Sequence, residues 1–286
     1  MTEKVVQADK LYFGHEHLTI LEPTKGWRAL DVRELWAYRE LLYVLIKRDI
    51  KVRYKQTVLG AMWAILQPLL TMAIFVLIFG RLAQMPSDGY PYPIFVYAGL
   101  LPWMFFANAI SNSANSLVNE SNLISKVYFP RLAIPLASIG SGLVDFFIAG
   151  SILLLLMLYY GVGWGLHLLA APFLLLAVIF TALGVGTLLS ALTVAYRDFR
   201  YVVPFLVQFW MFATPVIYPA SMVPEKWHWL LFLNPMSGII DAFRAAFLGK
   251  LFDIGSISIS FAVALCLFVC GIAYFEKVER RFADII

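Results

Sequence analysis

The chain has 286 residues, of which 61% are hydrophobic and 14% charged, with a formal net charge of +4. A soluble domain of this length would carry roughly a quarter charged residues, and the mean hydropathy is +0.79, so a soluble globular protein is excluded and an integral membrane protein is implied. Cys266 and Cys270 share a helix face inside an apolar run, without acidic or histidine neighbours; this excludes a disulfide framework and leaves packing as their role.

In chain order, residues 1–30 are polar and mixed in charge, show no signal-peptide pattern, and read as a cytoplasmic tail. An amphipathic interface helix is predicted over 31–56. Asp31 and Glu34 stand as a capping-box variant, with Leu30 and Leu35 placed as a hydrophobic staple. Leu35, Leu42, Leu45, Ile46 and Ile50 recur at helical spacing, and Lys47, Arg48, Lys51 and Arg53 make the far end polybasic. A helix lying on the membrane surface is the expectation; a partner-binding face is the alternative.

An all-α transmembrane domain is predicted over 57–286, since about 20 predominantly apolar residues cross a bilayer. Six spans fit: 58–79, 92–111, 132–160, 168–195, 201–218 and 257–275. The second and third are joined by 119–131, entered through the polar tract 111–122 and carrying Lys126, Tyr128, Phe129, Pro130 and Arg131. One or two helical turns ended by Phe129-Pro130 would lie across the membrane face, either as a docking element for a cytoplasmic partner or as a plain connector. Between the last two spans, 219–250 is split by Asn234-Pro235, with Asn234 as helix N-cap, Pro235 at the first helical position and Gly249 as the stop. The helix so bounded carries Asp241 and Arg244 and is too short and too charged to cross, so a re-entrant hairpin is predicted.

Lysine and arginine placement orients this topology. Only Arg81, Lys226, Arg244 and Lys250, 4 of the 22 basic residues, fall on the hairpin side. Both termini are therefore expected in the cytoplasm and the hairpin outside. Counting residues 236–248 as a seventh span would put Lys277, Arg280 and Arg281 on the wrong side.

Groups for enzymatic chemistry are missing. No G-x-x-x-x-G-K-[ST] phosphate loop occurs, nor a His-Glu-x-x-His or a paired-carboxylate motif. His15, His17, His167 and His228 are scattered, so no metal site is expected. Asp145 is the one carboxylate within the six spans, either functional or hydrogen-bonded to a neighbouring helix. Aromatic residues make up 16% of the chain. Tyr90, Tyr92, Tyr159 and Tyr160 suit interfacial belts. Trp63, Phe75, Phe79, Phe95, Tyr97, Phe209, Trp210 and Phe212 lie well inside spans, where they either pack against lipid or offer flat faces on which sugar rings can stack and slide.

Five stretches together resemble one family: RDIKVRYKQTVLGAMWAILQPLL (48–70), LISKVYFPRLAIPL (123–136), YRDFRYVVPFL (196–206), TPVIYPASMVPEKW (214–227) and LNPMSGIIDAFR (233–244). The chain is similar to the permease subunits of polysaccharide-exporting ABC transporters, above all those for O-antigen, with capsule and teichoic acid exporters as relatives. The resemblance implies a homodimer in the cytoplasmic (inner) membrane, bound to two copies of a separate cytoplasmic ATPase. ATP and magnesium would sit on that partner, and no cofactor on this chain; nucleic acid is not expected as a partner. It implies that Lys126, Tyr128, Phe129, Pro130 and Arg131 form a coupling element, with Arg197, Asp198 and Arg200 as a second ATPase contact. It also implies that Asn234 and Pro235 belong to an extracytoplasmic gate hairpin, and that the eight aromatics line a polymer path at the dimer interface. The substrate implied is a lipid-linked polysaccharide. For its diphosphate entrance the basic residues Arg48, Lys51, Arg53 and Lys55 are the candidates, with anionic membrane lipid as their alternative ligand.

Overall fold

A computed structural model describes residues 32–55, 60 and 62–285, and these contain helices and no strands. The tail 1–30 and the Asp31 capping box lie outside the described residues. The expected single interface helix is two, α1 (Val32–Ala37) and α2 (Arg39–Lys55). They stay hydrogen-bonded across Tyr38, whose N–H donates to Glu34 and whose carbonyl accepts from Leu42, both at 3.1 Å. The interruption is a single turn residue, not a gap.

Among the described residues, five helical segments are long and apolar enough to cross a membrane: Met62–Leu82, Tyr92–Asn119, Ala133–Tyr160, Leu166–Ala195 and Ile254–Glu279. The first is α3 (Met62–Phe75) continued by a π-helical turn (Val76–Leu82); the second and third are α4 (Tyr92–Asn119) and α6 (Ala133–Tyr160). The fourth is a 3₁₀ turn leading into α7 (Ala171–Ala195), and the last belongs to α11 (Ile254–Ile285). The span expected over 201–218 is the short α8 (Phe199–Ala213). At 1.5 Å per residue it measures about 22 Å, less than the roughly 30 Å of a hydrocarbon core. It stops because Pro215 disfavours helical geometry at Thr214, which is extended.

The second span also differs from expectation. The polar tract from residue 111 is not a loop but the last two turns of α4. Ser113 and Ser116 turn inward there; the Ser116 hydroxyl donates to the Ser113 carbonyl at 2.7 Å, while the buried Ser113 hydroxyl has no hydrogen-bond partner among the described residues.

Helix α4 is the central element: 78% of its apolar window is buried, against 6% for Met62–Leu82, which leaves most of α3 uncovered. Around α4 pack α3, α6, α7, α8 and α10 (Pro235–Leu248). α7 and α11 touch backbone to backbone, because a Cβ on Gly271 would fall 2.0 Å from the Gly184 carbonyl oxygen. Small residues permit this approach where no hydrophobic effect drives helices together. A second apolar cluster at the basic end joins Leu117, Ile124, Phe129, Ile134, Val194 and Phe275.

Between α8 and α11 the chain forms α9 (Glu225–Phe232) and α10, bent by 104° about Leu233 and Asn234. The Asn234 side chain accepts from the Met236 N–H, and Gly249 takes the left-handed conformation (φ 75°) that ends the helix.

Candidate functional site

The short helix α5 (Ser121–Lys126) lies between α4 and α6. It ends three residues before Phe129, not at Phe129-Pro130. Ile124 and Phe129 are both buried in the basic-end cluster. In a continuous helix, residues five apart point about 140° from each other, so burying both requires Val127 to leave the helix, and it is extended. Lys126, Val127 and Tyr128 are thereby exposed, while Phe129 anchors the segment from beneath. Arg131 is not simply presented to solvent. Its N–H donates to Glu279 Oε1 at 3.2 Å and its guanidinium to the Glu279 carbonyl, tying the segment to α11. Arg197, Asp198 and Arg200 are exposed at the start of α8.

The four cations nominated on α2 separate into two groups. Arg48 forms a two-pronged bridge to Glu120 (3.0 and 2.7 Å) and also contacts Asp49 (2.9 Å). Burial works against its charge, but the hydrogen bonds of Glu120 and Asp49 outweigh it and raise its pKa. Glu120 caps α5, so this bridge links the interface helix to the start of the coupling segment. Arg53 and Tyr54 both hydrogen-bond Asp145 on α6. Burial, then the Asp145 carboxylate, raise the Tyr54 phenol, which stays a donor. Asp145 thus meets polar partners, though from the surface helix and not from another span. Lys51 and Lys55 are exposed.

Arg48 and Arg53 also line a cavity of 650 Å³ together with Asn112, Asn119, Ser141 and Arg200. A second cavity of 360 Å³, with Trp63, Gln67, Asn108 and Asp145 on its walls, adjoins it through Arg53 and Asn112. The two make one cleft between α2, α3, α4 and α6. Tyr54, Glu120, Glu279 and the asparagines of α4 were not expected here. For the asparagines the signal was present, since the polar tract keeps helical spacing.

The eight path aromatics divide four ways. Trp63, Phe209 and Phe212 present their rings outward on α3 and α8. Phe75 and Phe79 are half-buried and meet edge to face at 5.6 Å. Phe95 and Tyr97, expected on the path, are instead sealed inside the subunit, because the central α4 turns them away from every surface. Phe95 lies under Arg244, 3.8 Å from its guanidinium carbon, and the Tyr97 hydroxyl donates to the Ala149 carbonyl at 3.0 Å. Trp210 is fixed by the hairpin: its indole N–H donates to Asn234 Oδ1 at 2.8 Å, while the Asn234 amide donates to Thr214 Oγ1 at 2.8 Å.

Arg244 holds the hairpin to the core. It is fully buried and donates to the carbonyls of Val216 (2.6 Å), Tyr218 (3.3 Å) and Phe95 (3.3 Å). Nearby, Lys250 pairs with Asp88 at 2.6 Å and Ser221 donates to the same carboxylate at 2.8 Å. Burial raises the Asp88 pKa, but hydrogen bonds from Lys250 and Ser221 and the Lys250 charge outweigh it and leave the pKa lowered.

Residues 40–248 match the ABC-2 type transporter family. The chain is 32% identical over 255 residues to an O-antigen export system permease protein of Klebsiella pneumoniae, covering 86% of this chain and 95% of that protein. It is 31% identical over 258 residues to the O-antigen export system permease protein of Myxococcus xanthus, covering 89% and 98%. A polysialic acid transport protein of Escherichia coli is 25% identical over 207 residues, covering 71% and 79%.

Proposed function

The chain belongs to the ABC-2 type transporter family, and we propose that it is the permease subunit of an ATP-driven exporter carrying a lipid-linked, O-antigen-like polysaccharide across the cytoplasmic membrane. The observation that carries this reading is similarity to O-antigen export permeases along almost the whole of both chains. Division of labour follows from the sequence: without a phosphate loop, energy comes from a separate ATPase, docked on Lys126, Tyr128 and the 197–200 turn. Both termini and this docking face lie in the cytoplasm, and two copies pair. The uncovered faces of α3 and α8, with Trp63, Phe209 and Phe212 pointing outward, support a pairing surface there.

In this reading the ATPase moves the coupling segment, and two polar links pass the motion on. Arg48–Glu120 engages the interface helix, and Arg131–Glu279 engages α11. Outward-facing rings guide the glycan by weak, interchangeable stacking, and the hairpin closes the outer end through Asn234. Arg48 and Arg53 line the cleft and favour the diphosphate of the carrier through their charge.

Depletion of the chain in living cells tests the reading. A lipid-linked glycan should accumulate inside the cytoplasmic membrane, and its structure identifies the substrate. Unchanged surface polysaccharide would refute it. Similarity to the polysialic acid transport protein supports a second reading, export of a capsule-type polymer; the chemistry of the accumulated glycan separates the two.

A further inference from the structure

Asn108, Asn112, Asn115 and Asn119 recur on α4 at i, i+4, i+7 and i+11. At 100° per residue they fall within an arc of about 60°, along about 16 Å of helix. They form one stripe, and it runs through both parts of the cleft, Asn112 lining the two cavities alike. Asparagine is a poor helix former, so four on one face of α4 point to a purpose other than helix stability. Helix packing does not supply that purpose. Asn108, Asn112 and Asn119 are exposed in the cleft and make no hydrogen bond among the described residues. Asn115 donates to the Ser111 carbonyl at 2.9 Å and keeps its own carbonyl available.

Resting on the export reading above, we propose that this asparagine stripe is a hydrogen-bonding strip for the hydroxyl groups of the glycan as it enters. A carboxamide offers donors and an acceptor together, which matches a sugar hydroxyl, itself both donor and acceptor. Purely cationic cargo would want open carboxylates, yet Glu120 and Asp145 are engaged by Arg48 and Arg53. The steps of three and four residues rise by about 4.5–6 Å, close to the advance from one sugar to the next along a chain. A moving polymer can therefore exchange one amide for the following one. Each bond replaces one to water, so none is strong enough to arrest the chain. The strip occupies the basic half of the path and the outward rings of α8 the other half. The glycan is first hydrogen-bonded by amides and then stacked.

The test uses the full chain, with its natural ATPase, restored to cells whose own copy is deleted; the probe is the cells' own surface polysaccharide. The variant Asn108→Leu/Asn112→Leu/Asn119→Leu keeps side-chain size and removes the amides. It should cut surface polysaccharide at least tenfold and leave lipid-linked glycan inside, with membrane level and ATPase co-purification unchanged. Glutamine at the same three positions should restore at least half of export. Wild-type export by the leucine variant overturns the strip, as does equal failure of the leucine and glutamine variants, which would show that shape and not amide chemistry matters. If the triple leucine chain fails to insert, the three single leucine variants are read in the same way, and wild-type export by all three overturns it. Loss of the strip with intact export leaves the export reading standing. Unchanged surface polysaccharide in the deletion itself refutes that reading.

Discussion

Replacing Arg244 by leucine removes the donor set that pins the 214–218 turn to α10. Two carbonyls of that turn lose their partner, the buried Val216 at 2.6 Å and the half-buried Tyr218 at 3.3 Å, while the Phe95 carbonyl keeps its place in the α4 ladder. An orphaned buried polar group costs about 1–3 kcal/mol, with the long bond to Tyr218 at the low end. Leucine recovers part of the cost of burying a charge. The backbone carbonyls cannot be exchanged for apolar groups, so that recovery is incomplete. The net loss is roughly 3 kcal/mol, on the order of a hundredfold in the equilibrium between closed and detached hairpin. Thermal denaturation of the detergent-solubilised chain should show a lowered midpoint, and limited proteolysis should cut within 219–250 faster than in the wild type. Arg244→Lys, which keeps the charge but not the planar fork, should fall between. A leucine variant with the wild-type midpoint and an equally protected hairpin would show that Arg244 does not hold this element.

Other outcomes follow from the same contacts. Arg131→Met should loosen the coupling segment by removing the guanidinium bond to the Glu279 carbonyl, lowering ATPase co-purification; an unchanged yield would show that this contact does not hold the segment. Lys126→Glu, fully on the surface, should weaken ATPase binding while insertion stays normal. Because Arg53 and Asp145 are each about 30% exposed, a double-mutant cycle of Arg53→Met and Asp145→Asn should give a coupling of no more than about 1 kcal/mol, read from thermal midpoints. Asp88 has a lowered pKa, so its contribution is complete above the ordinary carboxylate value of about 3.9 and fades as pH drops through the folded value. The stability gap between wild type and Lys250→Met should therefore be constant from pH 7 to pH 5; a gap closing in that window would contradict the assignment. Finally, Trp63→Ala with Phe209→Ala should reduce export of long glycans without lowering stability much, whereas Phe95→Ala should cost about 3–5 kcal/mol as a buried cavity.

Hydropathy and punctuation determined much of this protein by themselves. Apolar runs of bilayer length located five of the six expected spans, Asn234 and Gly249 marked both ends of α10, and basic residues clustered at one end, because each signal is local and acts on the chain nearest it. Tertiary packing decided the rest. Periodicity cannot say which of several apolar helices is central, so Phe95 and Tyr97 read like path residues until α4 proved to be the innermost element. Hydropathy alone ends the second span at Ser111, since it scores the polar tract without seeing that Ser113 and Ser116 face protein while the asparagines face a cleft. Partners far apart in sequence were equally hidden: Arg48 with Glu120, Arg53 with Asp145, Arg131 with Glu279. A charge announces that it needs a partner, but only the folded chain, by bringing distant residues within reach, settles which one it finds.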